Sequence, residues 1–131
     1  MAYADRHIFS GAAVDFNTDA TTYVFAPAQR VQIHKVGLYQ NGATQTGTAS
    51  VVFTKRVGAS TDTTIATIVT LASTVGKLIY KKLTTPTILQ PGEALVVVGT
   101  KSGTSTPGTP VLEYSLLDEE DTQPANAVVS A

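Results

Sequence analysis

The residues best suited to chemistry are few. The chain has two histidines, His7 and His34, and no cysteine. Thiolate nucleophiles, disulfides and Cys-ligated zinc or iron–sulfur centres are therefore excluded. A Ser-His-Asp set can be assembled on paper from so many hydroxyls, but no GxSxG elbow accompanies it. A histidine in a strand irregularity or an interface is the simpler reading of both imidazoles. HExxH, CxxC and EF-hand spacings are all missing from the sequence. Asp118, Glu119, Glu120 and Asp121 form an acidic cluster. Four consecutive carboxylates point in different directions and repel one another, so they are read as a solvated segment rather than a metal site.

Two further stretches deserve the same test. GTKSGTSTPGT, from Gly99, is rich in small and hydroxyl residues, but it lacks the P-loop spacing, and Pro107 and Pro110 oppose the helix that must follow. Lys77, Lys81 and Lys82 surround Tyr80 in a loosely basic-aromatic strip. Lysines on one strand discourage edge-to-edge pairing, and that role is preferred here over nucleic-acid binding. The sequence thus predicts no catalytic residue, no cofactor, no metal and no nucleic-acid partner.

Composition bounds what remains. At 131 residues the chain has the length of one domain that can bury a real core. Charged residues make up 15%, while threonine supplies roughly one residue in six, so much of the surface must be built from hydroxyls. The net charge is −1, but outside the acidic cluster nine bases stand against six acids. The opening MAYADRHIFSG does not read as a signal peptide, and no apolar run approaches the ~18 residues of a membrane span. Synthesis in a cytoplasm, with no membrane partner, is the expectation.

Any functional residues must be positioned by strands. ASVVFTKRV, Ala49 to Val57, alternates apolar and polar residues with a period of two. VLEYSLL places Leu112, Tyr114 and Leu116 on one face and Glu113 and Ser115 on a wet one. In RVQIHKVGLYQ the alternation changes phase between Ile33 and Val36, which a bulge at His34-Lys35 would repair. Further strands are predicted over Ile8 to Val14, Thr21 to Phe25, Thr63 to Leu71 and Lys77 to Leu83. TIATIVTLASTVG leaves room for one short helix, though its β-branched residues favour strand. Asn41-Gly42 and Pro91-Gly92 read as turns. In TILQPGEALVVVGTK, Val96 and Val98 lie on the opposite parity from Leu95 and Val97. A strand with one wet face does not need that, so a covering loop, terminus or neighbouring subunit is expected.

The fold class predicted is all-β, an antiparallel sandwich or jelly roll of about eight strands. Residues 1–10 form an N-terminal arm, 11–117 the sandwich, and 118–131 an acidic, proline-containing C-terminal tail.

From Gly37 onward the order GLYQNGATQTGTASVVFTKR, GASTDTTIATIVTLASTVGKLIYKKL and TPTILQPGEALVVVGT, then an acidic segment and Pro-x-Asn, resembles the small β-sandwich virion proteins of tailed bacteriophages, most of all capsid decoration (cement) proteins. The resemblance covers about the last two-thirds of the chain. It implies a non-enzymatic virion protein on the capsid surface, partnered by the major capsid protein and by other copies of itself as a dimer or trimer. Head-fibre, neck or tail-associated proteins share such sandwiches and stay open as alternatives. So does a glycan-binding host-attachment module, for which Tyr3, Tyr39 and Tyr80 are candidate exposed aromatics. For the capsid or subunit interface the candidates are Tyr3, Arg6, His7 and Phe9 in the arm, and Asp118, Glu119, Glu120, Asp121 and Asn126 in the tail. Tyr, Phe and Arg are the side chains that most often anchor interfaces.

Overall fold

The structure is a computed structural model that describes residues 6–14, 20–41, 46, 49–59, 61–70, 74–100 and 108–117. Eight strands carry the described chain: β1 (Arg6–Ser10), β2 (Ala20–Phe25), β3 (Val31–Gln40), β4 (Ala49–Val57), β5 (Thr61–Thr70), β6 (Leu78–Leu89), β7 (Glu93–Thr100) and β8 (Gly108–Leu116). They form two four-stranded sheets of order β1-β8-β3-β6 and β2-β7-β4-β5, with every pairing antiparallel. β1 pairs with β8, β2 with β7, β3 with β6 and β4 with β5, as though one long hairpin had been rolled up. The β3–β8 and β4–β7 pairings close the roll. This is the jelly-roll arrangement, and the predicted all-β sandwich is what the chain adopts.

The core follows from period-two patterning. Val31, Ile33, Val36 and Leu38 of β3 are all buried, and the register shifts between Ile33 and Lys35 against both neighbouring strands. The bulge expected at His34-Lys35 is therefore present, and it keeps four apolar residues on one face. Val51 and Phe53 of β4, Ile68 of β5 and Leu95 and Val97 of β7 meet them from the second sheet. The Pro91-Gly92 turn also forms: Gly92 has φ of 90° and the Glu93 N–H donates to the Gln90 carbonyl at 3.0 Å, as a type II turn requires.

Several expectations give way. Residues 6–10 of the N-terminal arm pair along β8 as an edge strand, and the strand expected over Ile8 to Val14 instead runs from Arg6 to Ser10, with a single bridge from Val14 to Gly108. β6 does not stop near Leu83 but continues through Pro86 to Leu89. It manages this as an edge strand whose register against β3 jumps from Lys82 to Thr87, so Pro86 needs no ladder partner. Of the stretch read as a possible helix, residues 64–70 belong to β5, and no α-helix occurs among the described residues. On β8, Leu116, one residue beyond the last pair with β1, is 49% exposed, whereas Ser115 is only 1% exposed.

Val96 receives the expected cover from within the chain. Its side chain is fully buried within the single chain, although it stands outside the core cluster, and its carbonyl accepts from Thr54 Oγ1 at 3.2 Å. The cover that its parity demands is intramolecular, so LVVV is no evidence for a partner. Asn41-Gly42 cannot be compared, because Gly42 lies outside the described residues.

Candidate functional site

Strand register sets the outer face of the first sheet. Because Val36 and Leu38 point into the core, Lys35, Gly37 and Tyr39 point away from it. Their partners on each side share that face. One row across the four strands reads Ile8, Glu113, Lys35 and Lys82; the next reads Ser10, Val111, Gly37 and Tyr80; a third brings Thr109, Tyr39 and Leu78 together.

The middle row has a gap. At Gly37 there is no side chain, and a Cβ placed there would stand 3.2 Å from both the Ile79 carbonyl oxygen and Tyr80 Cβ, and 3.3 Å from Leu78 Cδ1. Glycine thus lets Leu78 and Tyr80 close in over the strand. The result is a notch of about 140 Å³ with Gly37 in its floor, Leu78 and Tyr80 on one wall, and Ile8 and Val111 on the other. Ile8 is 73% exposed and Tyr80 57%, with Leu78 and Tyr39 also exposed. Isolated surface hydrophobics are ordinary, but three grouped around one depression, with Tyr39 in the adjacent row, are the mark of an interaction surface.

Charge lines one end. Arg6 Nη1 lies 2.8 Å from Glu113 Oε1, Lys35 Nζ lies 3.8 Å from Glu113 Oε2, and the same Nζ sits 4.8 Å from the centre of the Tyr80 ring. Lys35 is thereby held across the notch by one carboxylate and one aromatic face. Arg6, Lys35 and Lys82 against Glu113 leave this end with an excess of positive charge.

Just beyond Lys35, the bulge turns His34 toward Ser115, and His34 Nε2 shares a hydrogen bond of 2.7 Å with Ser115 Oγ. A base beside a hydroxyl invites a catalytic reading. Ser115 is too deeply buried for any carbonyl carbon to reach its oxygen, so the pair serves to satisfy two polar groups around the bulge. Burial, and secondarily the Arg6 charge, hold the His34 pKa below the ordinary imidazole value, with Glu113 opposing them. Among the described residues no three His, Asp or Glu side chains gather as a metal site.

Of the nominated interface residues that are among the described ones, Arg6, His7 and Phe9, only Arg6 lies on this face. His7 and Phe9 have the opposite parity in β1: His7 stacks on Tyr114 at 5.3 Å between ring centres, and Phe9 packs against Phe25 at 5.2 Å and against the core. Phe9 is thus a packing residue, not an exposed anchor. Tyr3, Asp118, Glu119, Glu120, Asp121 and Asn126 lie outside the described residues. Ile8, Gly37, Leu78 and Val111 were not anticipated. One signal was available, a glycine interrupting the apolar run of β3, since glycine inside a strand often marks a close approach.

Compared with known proteins, the chain matches no family model, no curated protein and no solved structure.

Proposed function

We propose that the protein is a structural protein of a tailed-phage virion that binds the capsid surface as a decoration, or cement, protein and bridges neighbouring capsid subunits. The observation that carries this reading is the notched apolar face of the first sheet, with its charged end, presented by a jelly roll whose own core is complete without it. Fully burying an exposed leucine- or phenylalanine-sized side chain contributes about 1.5–3 kcal/mol. Ile8, Leu78, Tyr80 and Tyr39 can therefore supply a modest contact energy at each site. Repetition over a shell turns modest contacts into tight attachment when copies are linked to one another. The sequence resemblance supplies the identity of the shell; jelly rolls serve capsid and lectin roles alike, so the fold does not choose between them.

The test uses phage heads stripped of accessory proteins and the full chain. Binding by the parent protein, lost with Ile8→Asp or Tyr80→Ser while both variants keep the parent melting temperature, is the expected result. Equal binding by all three proteins would remove this face from the interface. Electron microscopy of the bound particles distinguishes head-surface attachment from a head-fibre, neck or tail position.

One observation favours a second reading. Tyr39 and Tyr80 share the exposed face, as a sugar-stacking platform requires. A glycan-binding module should lose polysaccharide binding with Tyr80→Ser yet keep it with Ile8→Asp.

A further inference from the structure

Beside the notch, the fold sets two cations against each other. Lys35 and Lys82 are direct cross-strand partners on β3 and β6, so their side chains leave strands about 4.8 Å apart on the same face. Like charges placed directly opposite destabilise a strand pair. Lys35 Nζ lies 3.8 Å from Glu113 Oε2, too far for a hydrogen bond, and Glu113 already accepts one from Arg6 at 2.8 Å. Among the described residues no other carboxylate pairs with Lys35, and none pairs with Lys82.

The apolar hollow begins where the lysines end. Gly37 follows Lys35 by two residues, about 7 Å along β3, with Ile8 and Val111 on one wall and Leu78 and Tyr80 on the other. The groove thus runs along β3 from a cationic end to an apolar one. An apolar cavity of about 150 Å³ takes a benzene-sized group, so the 140 Å³ here admits one branched aliphatic side chain. In an extended chain, side chains two positions apart share a face at the same spacing of about 7 Å. A carboxylate and an aliphatic residue so placed meet both features at once.

Other occupants fit less well. Arg6, Lys35 and Lys82 face only Glu113 on these four strands, so two copies joined through this face would repel. A neutral sugar would leave the opposed lysines unrelieved.

We propose that the notch receives an extended protein segment in which an Asp or Glu stands two positions from a Val, Ile or Leu. The carboxylate settles between Lys35 and Lys82, and the aliphatic side chain covers Gly37. For the source of that segment, an exposed stretch of a capsid subunit, the proposal rests on the decoration reading above.

The probe is the capped peptide acetyl-Gly-Ser-Glu-Thr-Val-Ser-Gly-amide, titrated into the full-length isotope-labelled protein. Saturable shifts of the Ile8, Lys35, Gly37 and Val111 amides are expected, with the outer face of β4 and β5 unmoved. Gln in place of the peptide's glutamate should weaken binding about tenfold, the loss of one charge-assisted hydrogen bond, and Lys35→Gln should do the same. Made together, the two changes should weaken it little more than either alone, a coupling that general loss of structure does not produce. Additive losses, shifts on another face or no shifts overturn the proposal. So do shifts that grow with protein concentration before peptide is added, which would give the notch to a second copy. Stripped phage heads separate the two readings: peptide coupling without head binding removes the decoration role and leaves the notch chemistry, and head binding without peptide coupling does the reverse.

Discussion

At Gly92 the backbone adopts a φ of 90°, a region where a Cβ collides with its own carbonyl neighbourhood. Gly92→Ala should therefore cost about 1–2 kcal/mol, read as a lower denaturant midpoint with an unchanged slope. This turn was readable because Pro-Gly encodes it locally. The role of the neighbouring Glu93 was not: it is half-buried, receives the Gln90 N–H at 3.0 Å and lies 3.3 Å from Lys55 Nζ. Its partner sits on β4, opposite Leu95, and only the strand register brings the two charges together. His34 is a similar case, since the bulge was visible in the alternation but the buried Ser115 beneath it was not. Burial disfavours the charged imidazole, so the folded pKa lies below that of the unfolded chain. Between those values the unfolded state binds more protons, and stability must fall as pH drops below about 6.5. Replacing it, His34→Gln, should flatten the stability profile between pH 7 and 5.5, measured by urea unfolding at each pH. A profile as steep as the parent's would assign the slope to other groups.

At the scale of elements, β1 shows why parity matters more than composition. Its five residues alternate between Arg6 and Ile8 on the outer face and His7 and Phe9 toward Tyr114 and Phe25. A segment with so many anchor-type side chains reads as an interface arm until β8 is known to lie beside it, and that pairing joins residues more than a hundred positions apart. Phe9→Ala removes a partly buried ring and should destabilise by about 2 kcal/mol, below the 3–5 kcal/mol of a fully buried one. Arg6→Ala, which breaks a half-exposed ion pair, should cost no more than about 1 kcal/mol. Urea midpoints of the two variants check the order, and a larger loss for Arg6→Ala would contradict the packing assigned to β1. The same distinction applies to β6. Its lysines suggested an edge, which it is, but its continuation past Pro86 depends on a register jump against β3 that no local pattern encodes.

For the whole molecule, the rolled-hairpin topology makes the two sheets depend on a single core. β3 supplies Ile33 and Leu38 from one side; β4 supplies Val51 and Phe53 from the other, and all four are fully buried in one cluster. The sequence conveyed the sandwich because strands such as β4 repeat with period two, yet strand order was beyond it, because nothing local tells β1 to pair with β8 rather than β2. That order predicts how the protein unfolds. Neither sheet can keep its inner face dry alone, so loss of packing in one must be felt in the other. Phe53→Ala empties the largest fully buried side chain among the described residues and should cost about 3–5 kcal/mol, a large share of the 5–15 kcal/mol typical of a domain. Native-state hydrogen exchange makes the coupling visible: amides of β3 and β4 should lose protection by the same amount in the variant, and their unfolding transitions in urea should coincide. If β4 loses protection while β3 keeps it, the sheets unfold as separate units and the shared core is not what holds the roll closed. An outer face that leaves this coupled core untouched is the one place where Ile8, Leu78 and Tyr80 can be exchanged freely, which is why their replacement should alter binding and not stability.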